Sequence, residues 1–212
     1  MELTEMQKKV IDYSGGRLFV NGSRRSGKTS AIYYLFEKWI NGNSKCFYEK
    51  ETYNILVMCH YSVIEDVISS IRINKWVGYI FNKPERMLCF NCGNKKINIE
   101  FCKEFVPNIY DIVIIDDLYY VISGKCYKGK DIFDFLFNNK SNYIVFGTPS
   151  IGNIMSRILY YAFYHYAKEN KFLINTDFLN GITTEDDYNQ LKMSIDNNMF
   201  ETQINHNIEA MF

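Results

Sequence analysis

Gly22-Ser23-Arg24-Arg25-Ser26-Gly27-Lys28-Thr29 decides how this chain is read. The stretch satisfies G-x-x-x-x-G-K-[ST] at every fixed position and follows the apolar run Leu18-Phe19-Val20, so a strand is expected to break into a loop and resume as a helix. Such a loop turns successive backbone N–H groups toward an anion, and the helix N-terminus adds partial positive charge. Lys28 then supplies a mobile cation for β- and γ-phosphates, and Thr29 a hydroxyl for Mg²⁺. The candidate nucleotide-binding set is Gly22, Ser23, Arg24, Arg25, Ser26, Gly27, Lys28, Thr29 and Ser30, with ATP and Mg²⁺ as the expected ligands.

The flanking segments supply an α/β rhythm. Before the loop, Thr4 is a candidate N-cap for a short helix with apolar Met6, Val10 and Ile11, ending ahead of Gly15-Gly16. After it, Ile32, Leu35, Phe36 and Trp39 share one face of a helix expected over 27–40, and a polar loop is expected over 41–54. Ile55-Leu56-Val57-Met58-Cys59 is a continuous apolar run of the kind a parallel strand buried on both faces requires, and Val63, Val67, Ile68 and Ile71 mark the next helix. Residues 87–101 read as two strands about a glycine-containing turn. Ile112-Val113-Ile114-Ile115-Asp116-Asp117 is a Walker B pattern: an apolar strand carries Asp116 to the sheet's carboxyl edge as a metal ligand, with Asp117 one residue on, toward the γ-phosphate. A helix over 132–137, a buried strand Tyr143-Ile144-Val145-Phe146 stopping at Gly147-Thr148-Pro149-Ser150, and an aromatic-rich helix over 154–167 complete the pattern.

Parallel strands joined by helices describe a doubly wound, mainly parallel sheet of the P-loop NTPase type, with helices on both faces and ligands beyond the strand carboxyl ends. The strand-helix unit at 55–73 and the hairpin lie between the loop and the acidic pair, which suits the RecA-like, additional-strand division of P-loop ATPases. In that layout Asp117 orients and polarises the attacking water. The expected organisation is one ATPase domain over 1–180, closed by a linker-like helical segment over 181–212.

Composition narrows partners only slightly. Lys plus Arg and Asp plus Glu are 24 each, so no global field argues for or against nucleic acid. Six cysteines in a chain of 212 residues are expected to be reduced thiols. Cys89-Phe90-Asn91-Cys92 has metal-like spacing but no second ligand pair, and it falls within the expected hairpin. The N-terminus lacks the basic-then-apolar layout of a secretory leader and no apolar run approaches a membrane span, so an intracellular protein without a membrane partner is expected.

These positions, in this order, resemble a family: the ATPase domain of the large terminase subunit, the DNA-packaging motor of tailed bacteriophages and herpesviruses. Leu3-Thr4-Glu5-Met6-Gln7 followed by Val20-Asn21-Gly22 through Thr29 looks like its lead-in and Arg-containing Walker A; Asp111 through Asp117 looks like its Walker B strand; Phe146-Gly147-Thr148-Pro149-Ser150 looks like its coupling motif. The resemblance implies that Arg24 contacts the γ-phosphate beside Lys28 and Asp117 in catalysis, that Gln7 sits near the adenine, and that Thr148 relays nucleotide state. It further implies double-stranded DNA as partner, a homo-oligomeric ring with portal and small terminase proteins, and the cytoplasm of an infected host cell. A ring motor needs an arginine from a neighbouring subunit, for which Arg17, Arg72, Arg86 and Arg157 are the candidates. Lys95, Lys96, Lys125, Lys128 and Lys130 are candidate DNA-phosphate contacts.

Two departures stand out. Asp117 occupies the place where the family usually has Glu, a shorter carboxylate for the same water. Residues 168–212 hold no separate acidic cluster of the kind the family's nuclease domain needs, so no nuclease activity is expected here; a separate nuclease subunit or domain would supply it. A small nucleoside or nucleotide kinase, and a nucleotide-binding assembly or regulatory protein with weak turnover, are the alternatives; few arginines after residue 86 count against a kinase lid.

Overall fold

The computed structural model describes residues 3–22, 26–73, 78–103, 105–106, 108–122, 129–138, 140–148 and 154–176, with 189 and 193 besides. Ser23, Arg24, Arg25, Lys125, Cys126, Lys128, Pro149, Ser150 and the proposed boundary near residue 180 lie outside these residues, as do the side chains of Arg72 and Lys130.

Eight strands form one sheet. In chain order the elements are α1 (Glu5–Ile11), β1 (Arg17–Gly22), α2 (Lys28–Ile40), β2 (Thr52–Met58), α3 (Tyr61–Ile73), β3 (Tyr79–Asn82), β4 (Met87–Cys92), β5 (Lys95–Phe101), β6 (Ile112–Ile115), α4 (Leu118–Ile122), α5 (Gly129–Phe137), β7 (Tyr143–Gly147), α6 (Ile154–Glu169) and β8 (Leu173–Thr176). Across the sheet the order is β3-β4-β5-β2-β6-β7-β1-β8. From β5 to β8 every pairing is parallel, and only β3–β4 and β4–β5 are antiparallel. The strand of the phosphate loop, β1, is thus separated from the acidic strand β6 by β7, the interposed strand expected of the additional-strand division.

Strand alternation divides the core into two layers. Val20, Ile55, Val57, Ile112, Ile114, Ile144 and Phe146 point to the face covered by α1, α2 and α3. Their neighbours Phe19, Leu56, Met58, Val113, Ile115, Tyr143 and Val145 point to the face covered by α4, α5 and α6. A period-two backbone with apolar residues at consecutive positions requires cover on both sides, which is why these runs are unbroken. On the first face Trp39 stacks edge-on against Phe47 at 5.0 Å; on the second, Phe163 lies 5.0 Å from Phe19. Removing such a fully buried ring costs about 3–5 kcal/mol.

Several boundaries differ from the sequence reading. The segment read as loop up to residue 54 already belongs to β2 from Thr52, because pairing with β5 begins at Thr52↔Lys96 and buries Tyr53 against Phe47. The helix expected from Gly27 begins at Lys28, since Gly27 adopts a left-handed φ of 83° as its N-cap. Helix α5 starts at Gly129, ahead of the expected 132. Strands β3 and β8 and the five-residue α4 were not anticipated: the two strands are short sheet edges, and α4 is a single capped turn. The expected hairpin forms as β4 and β5. Cys89 and Cys92, three residues apart on β4, fall on opposite faces of it, with Cys92 in the core, so they cannot close on one ion.

Candidate nucleotide site

Three parallel strands deliver the site. The carboxyl ends of β1, β6 and β7 lead into Gly22, Asp116 and Thr148 at one rim of the sheet, where an open α/β sheet binds ligands. Ser26, Gly27, Lys28, Thr29, Ser30, Asp116, Asp117 and Thr148 line a cavity of about 390 Å³ there. Residues 26–30 of the loop and its helix, both acidic residues and Thr148 are therefore brought together.

The loop is held by its own atoms. Lys28, buried, donates from Nζ to the Gly22 carbonyl at 2.6 Å and to Ser26 Oγ at 3.1 Å, which keeps the ammonium within the cradle. Gly22 pairs with Thr176 of β8 so closely that a Cβ would lie 1.9 Å from Thr176 Oγ1. At Gly27 the left-handed φ would strain any residue with a side chain, and an added Cβ would lie 2.9 Å from Gln7 Nε2, forcing that amide to shift.

Gln7 is tied both to Thr4 and to the loop. Its Oε1 accepts from Thr4 N at 3.0 Å while its backbone N–H donates to Thr4 Oγ1 at 3.2 Å, a capping box that starts α1. Its Nε2 donates to the Gly27 carbonyl at 3.5 Å. Gln7 thereby joins α1 to the exit of the phosphate loop.

Thr29 Oγ1 donates to Asp116 Oδ1 at 3.0 Å across 87 residues of chain. A hydroxyl and a carboxylate at that separation are hard oxygen donors, of the type that hold Mg²⁺ with water and phosphate oxygens completing its shell. Burial pushes the Asp116 carboxyl up to about 6, with the neighbouring Asp117 adding to the rise while Thr29 and Lys28 oppose it. Asp117 is exposed, and its Oδ1 accepts from the backbone N–H groups of Tyr119 at 3.0 Å and Tyr120 at 3.4 Å, making it the N-cap of α4.

The sequence reading missed the wall next door. Tyr33, His60, Ser62, Asp66 and Tyr120, together with Thr29, Asp116 and Asp117, line an adjoining cavity of about 550 Å³. His60 Nδ1 and Ser62 Oγ stand 2.9 Å apart, and the His60 ring meets Tyr120 edge-on at 5.7 Å. Two signals were available: His60 follows the carboxyl end of β2, and Tyr33 lies one helical turn beyond Thr29. A second missed feature lies under the loop. Tyr160 Oη donates to Asn21 Oδ1 at 2.6 Å, Asn21 Nδ2 donates to Asn175 Oδ1 at 3.0 Å, and Asn175 Nδ2 donates to Tyr164 Oη at 3.3 Å. This chain of amides and phenols ties β1 to β8 and α6.

Among the arginines considered for a trans-acting role, two are built into this chain's own packing. Arg17 donates to Tyr166 Oη at 2.6 Å and lies 4.6 Å over the Phe172 ring, and Arg157 is buried. Arg86 lies 5.5 Å over the Tyr61 ring and donates to the Cys102 carbonyl at 3.5 Å.

The strand order and the phosphate-loop rim define a P-loop NTPase fold. Among solved structures, that fold is shared with large terminases of bacteriophages. The large terminase of a thermophilic bacteriophage in complex with ADP matches with a TM-score of 0.57 at 13% identity, over 90% of this chain and 49% of that one. The same terminase in complex with ATP-γ-S matches with a TM-score of 0.54 at 12% identity, over 82% and 44%. The HK97 bacteriophage large terminase matches with a TM-score of 0.54 at 11% identity, over 92% and 47%. This chain therefore spans just under half the length of those proteins, and at such identities the likeness is one of fold. No protein-family model and no curated protein sequence matches the chain. No described helix is long and apolar enough to cross a membrane.

Proposed function

We propose that this chain is the ATPase domain of a viral DNA-packaging terminase large subunit, coupling ATP hydrolysis to movement of double-stranded DNA. The observation that carries the ATPase reading is the 3.0 Å contact between Thr29 Oγ1 and Asp116 Oδ1, made beside Lys28 at the rim of a sheet whose fold is that of large terminases. The ADP and ATP-γ-S complexes of the thermophilic bacteriophage's terminase support a nucleotide as ligand.

In this reading the backbone N–H groups of the loop and the ammonium of Lys28 hold the β- and γ-phosphates. Thr29 and Asp116 would hold Mg²⁺, which when bound neutralises charge on the phosphate oxygens. Asp117 orients the attacking water and accepts its proton, and Arg24 contacts the γ-phosphate. Thr148, at the carboxyl end of β7 and in the same cavity, reports loss of that phosphate to α6. Double-stranded DNA, a homo-oligomeric ring, portal and small terminase proteins, and the infected host's cytoplasm belong to the same proposal.

The test is ATP hydrolysis with and without DNA across a salt series. Hydrolysis stimulated by double-stranded DNA, weakening steeply as salt rises and lost in Lys28→Ala, is the expected result. Hydrolysis indifferent to DNA at every salt concentration removes the packaging part of the proposal; tight ATP binding with negligible turnover favours a nucleotide-dependent assembly protein, a reading the engagement of Asp117 as a helix cap makes specific.

A further inference from the structure

At the rim that carries the nucleotide site, two sulfurs from distant parts of the chain meet. Cys59 follows the last residue of β2 and Cys102 follows the last residue of β5, 43 residues later, on adjacent parallel strands. Their Sγ atoms are 3.5 Å apart, and Cys102 Sγ donates to the Cys59 carbonyl at 3.0 Å. The backbone holds this meeting in place: Cys102 N donates to the Val57 carbonyl at 2.9 Å, and Cys102 adopts φ 51°, a left-handed conformation uncommon for a residue with a Cβ. Adjacent strands run ~4.8 Å apart, within the Cα separation a disulfide tolerates, so closure needs rotation of side chains more than movement of strands.

We infer that Cys59 and Cys102 form a thiol pair that closes to an intramolecular disulfide when the protein meets a peroxide, a modification site at the edge of the nucleotide-binding rim. Cys102, half-buried, is the point of entry, and Cys59, buried beside it, is the resolving partner. In the first step the Cys102 sulfur attacks one peroxide oxygen, the O–O bond breaks, and a sulfenic acid and water form. In the second, the Cys59 sulfur attacks the sulfenic sulfur, the S–O bond breaks, the S–S bond forms, and the Cys59 proton leaves with the hydroxide as water. Two thiols are oxidised by two electrons and one peroxide is reduced to two waters.

The bond would tether the exit of β2 to the exit of β5. The residue after Cys59 is His60, which lines the cavity beside Asp116 and Asp117, and the Met58 carbonyl before it accepts from Asp116 N at 3.0 Å. Oxidation therefore joins the hairpin side of the sheet to the segment that borders the acidic pair.

The test treats the reduced full chain, natively folded, with hydrogen peroxide, blocks remaining thiols with an alkylating reagent after unfolding, and maps peptides by mass spectrometry. The expected product is one linked peptide containing Cys59 and Cys102, released by a thiol reductant, with two titratable thiols lost per chain. In Cys102→Ser the linkage disappears and Cys59 remains alkylatable. Absence of a Cys59–Cys102 link at peroxide levels that oxidise other cysteines, progression of Cys102 to sulfinic acid with Cys59 still reduced, or linkage between other pairs each overturns the inference. Because the readout is a covalent bond, it stands or falls independently of any ATPase activity.

Discussion

Thr29 and Asp116 illustrate how residue-level chemistry is set by surroundings. Asp116 has a folded value of about 6 against an ordinary 3.8, because burial disfavours its charge. A carboxyl raised in this way holds its proton in the folded chain after the unfolded chain has lost it. Its stabilising contribution is complete below about pH 4 and is lost as pH rises through about 6. Denaturant titrations of metal-free protein between these limits should show Asp116→Asn gaining on the parent as pH rises, by on the order of 1–3 kcal/mol; a difference flat with pH contradicts the assignment. Asp117 allows a cleaner separation. Asn also caps helices, so Asp117→Asn should leave the melting temperature unchanged while ATP turnover falls about 10²-fold or more, whereas Asp117→Ala should in addition lose roughly 0.5–2 kcal/mol of stability. Asp117 directly before Leu118-Tyr119-Tyr120 is an N-cap signal that the sequence itself carries, alongside its place in the acidic pair.

Among the elements, those with one dominant reason to exist were legible and those with a shared reason were not. Strands β2, β6 and β7 announce themselves as apolar runs because both faces are covered. Strand β8 is Leu173-Ile174-Asn175-Thr176, two of whose four residues are polar; it exists because Asn175 and Thr176 meet β1 and the amide chain beneath the phosphate loop. Tyr160 is the centre of that arrangement: it donates to Asn21, and a Cβ on Gly147 would fall 2.5 Å from its hydroxyl. Tyr160→Phe keeps the ring and strands a buried acceptor on Asn21, so chemical denaturation should report a loss of about 1–3 kcal/mol. Gly22→Ala should displace the edge of β8 at Thr176, read as faster amide exchange in β8 than in β7.

For the whole molecule, nucleotide binding and stability are linked. A ligand that binds only the folded chain stabilises it by about 2.7 kcal/mol at a hundredfold excess over its dissociation constant. ATP with Mg²⁺ should therefore raise the melting temperature of the parent, and Lys28→Ala should abolish the rise without a comparable change in its ligand-free melting temperature; an equal rise in both would place the nucleotide elsewhere. The phosphate loop, the acidic strand end, the buried strands and the helical faces were determined by sequence alone, since each depends on residues adjacent in the chain or on a local period. The order β2-β6-β7-β1, the meeting of Asp116 with Thr29, the contact of Gln7 Nε2 with the Gly27 carbonyl and the contact of Cys59 with Cys102 were decided only by tertiary structure. Those relations depend on which strands lie side by side once helices cover both faces of the sheet, and no local pattern encodes a distance across a crossover.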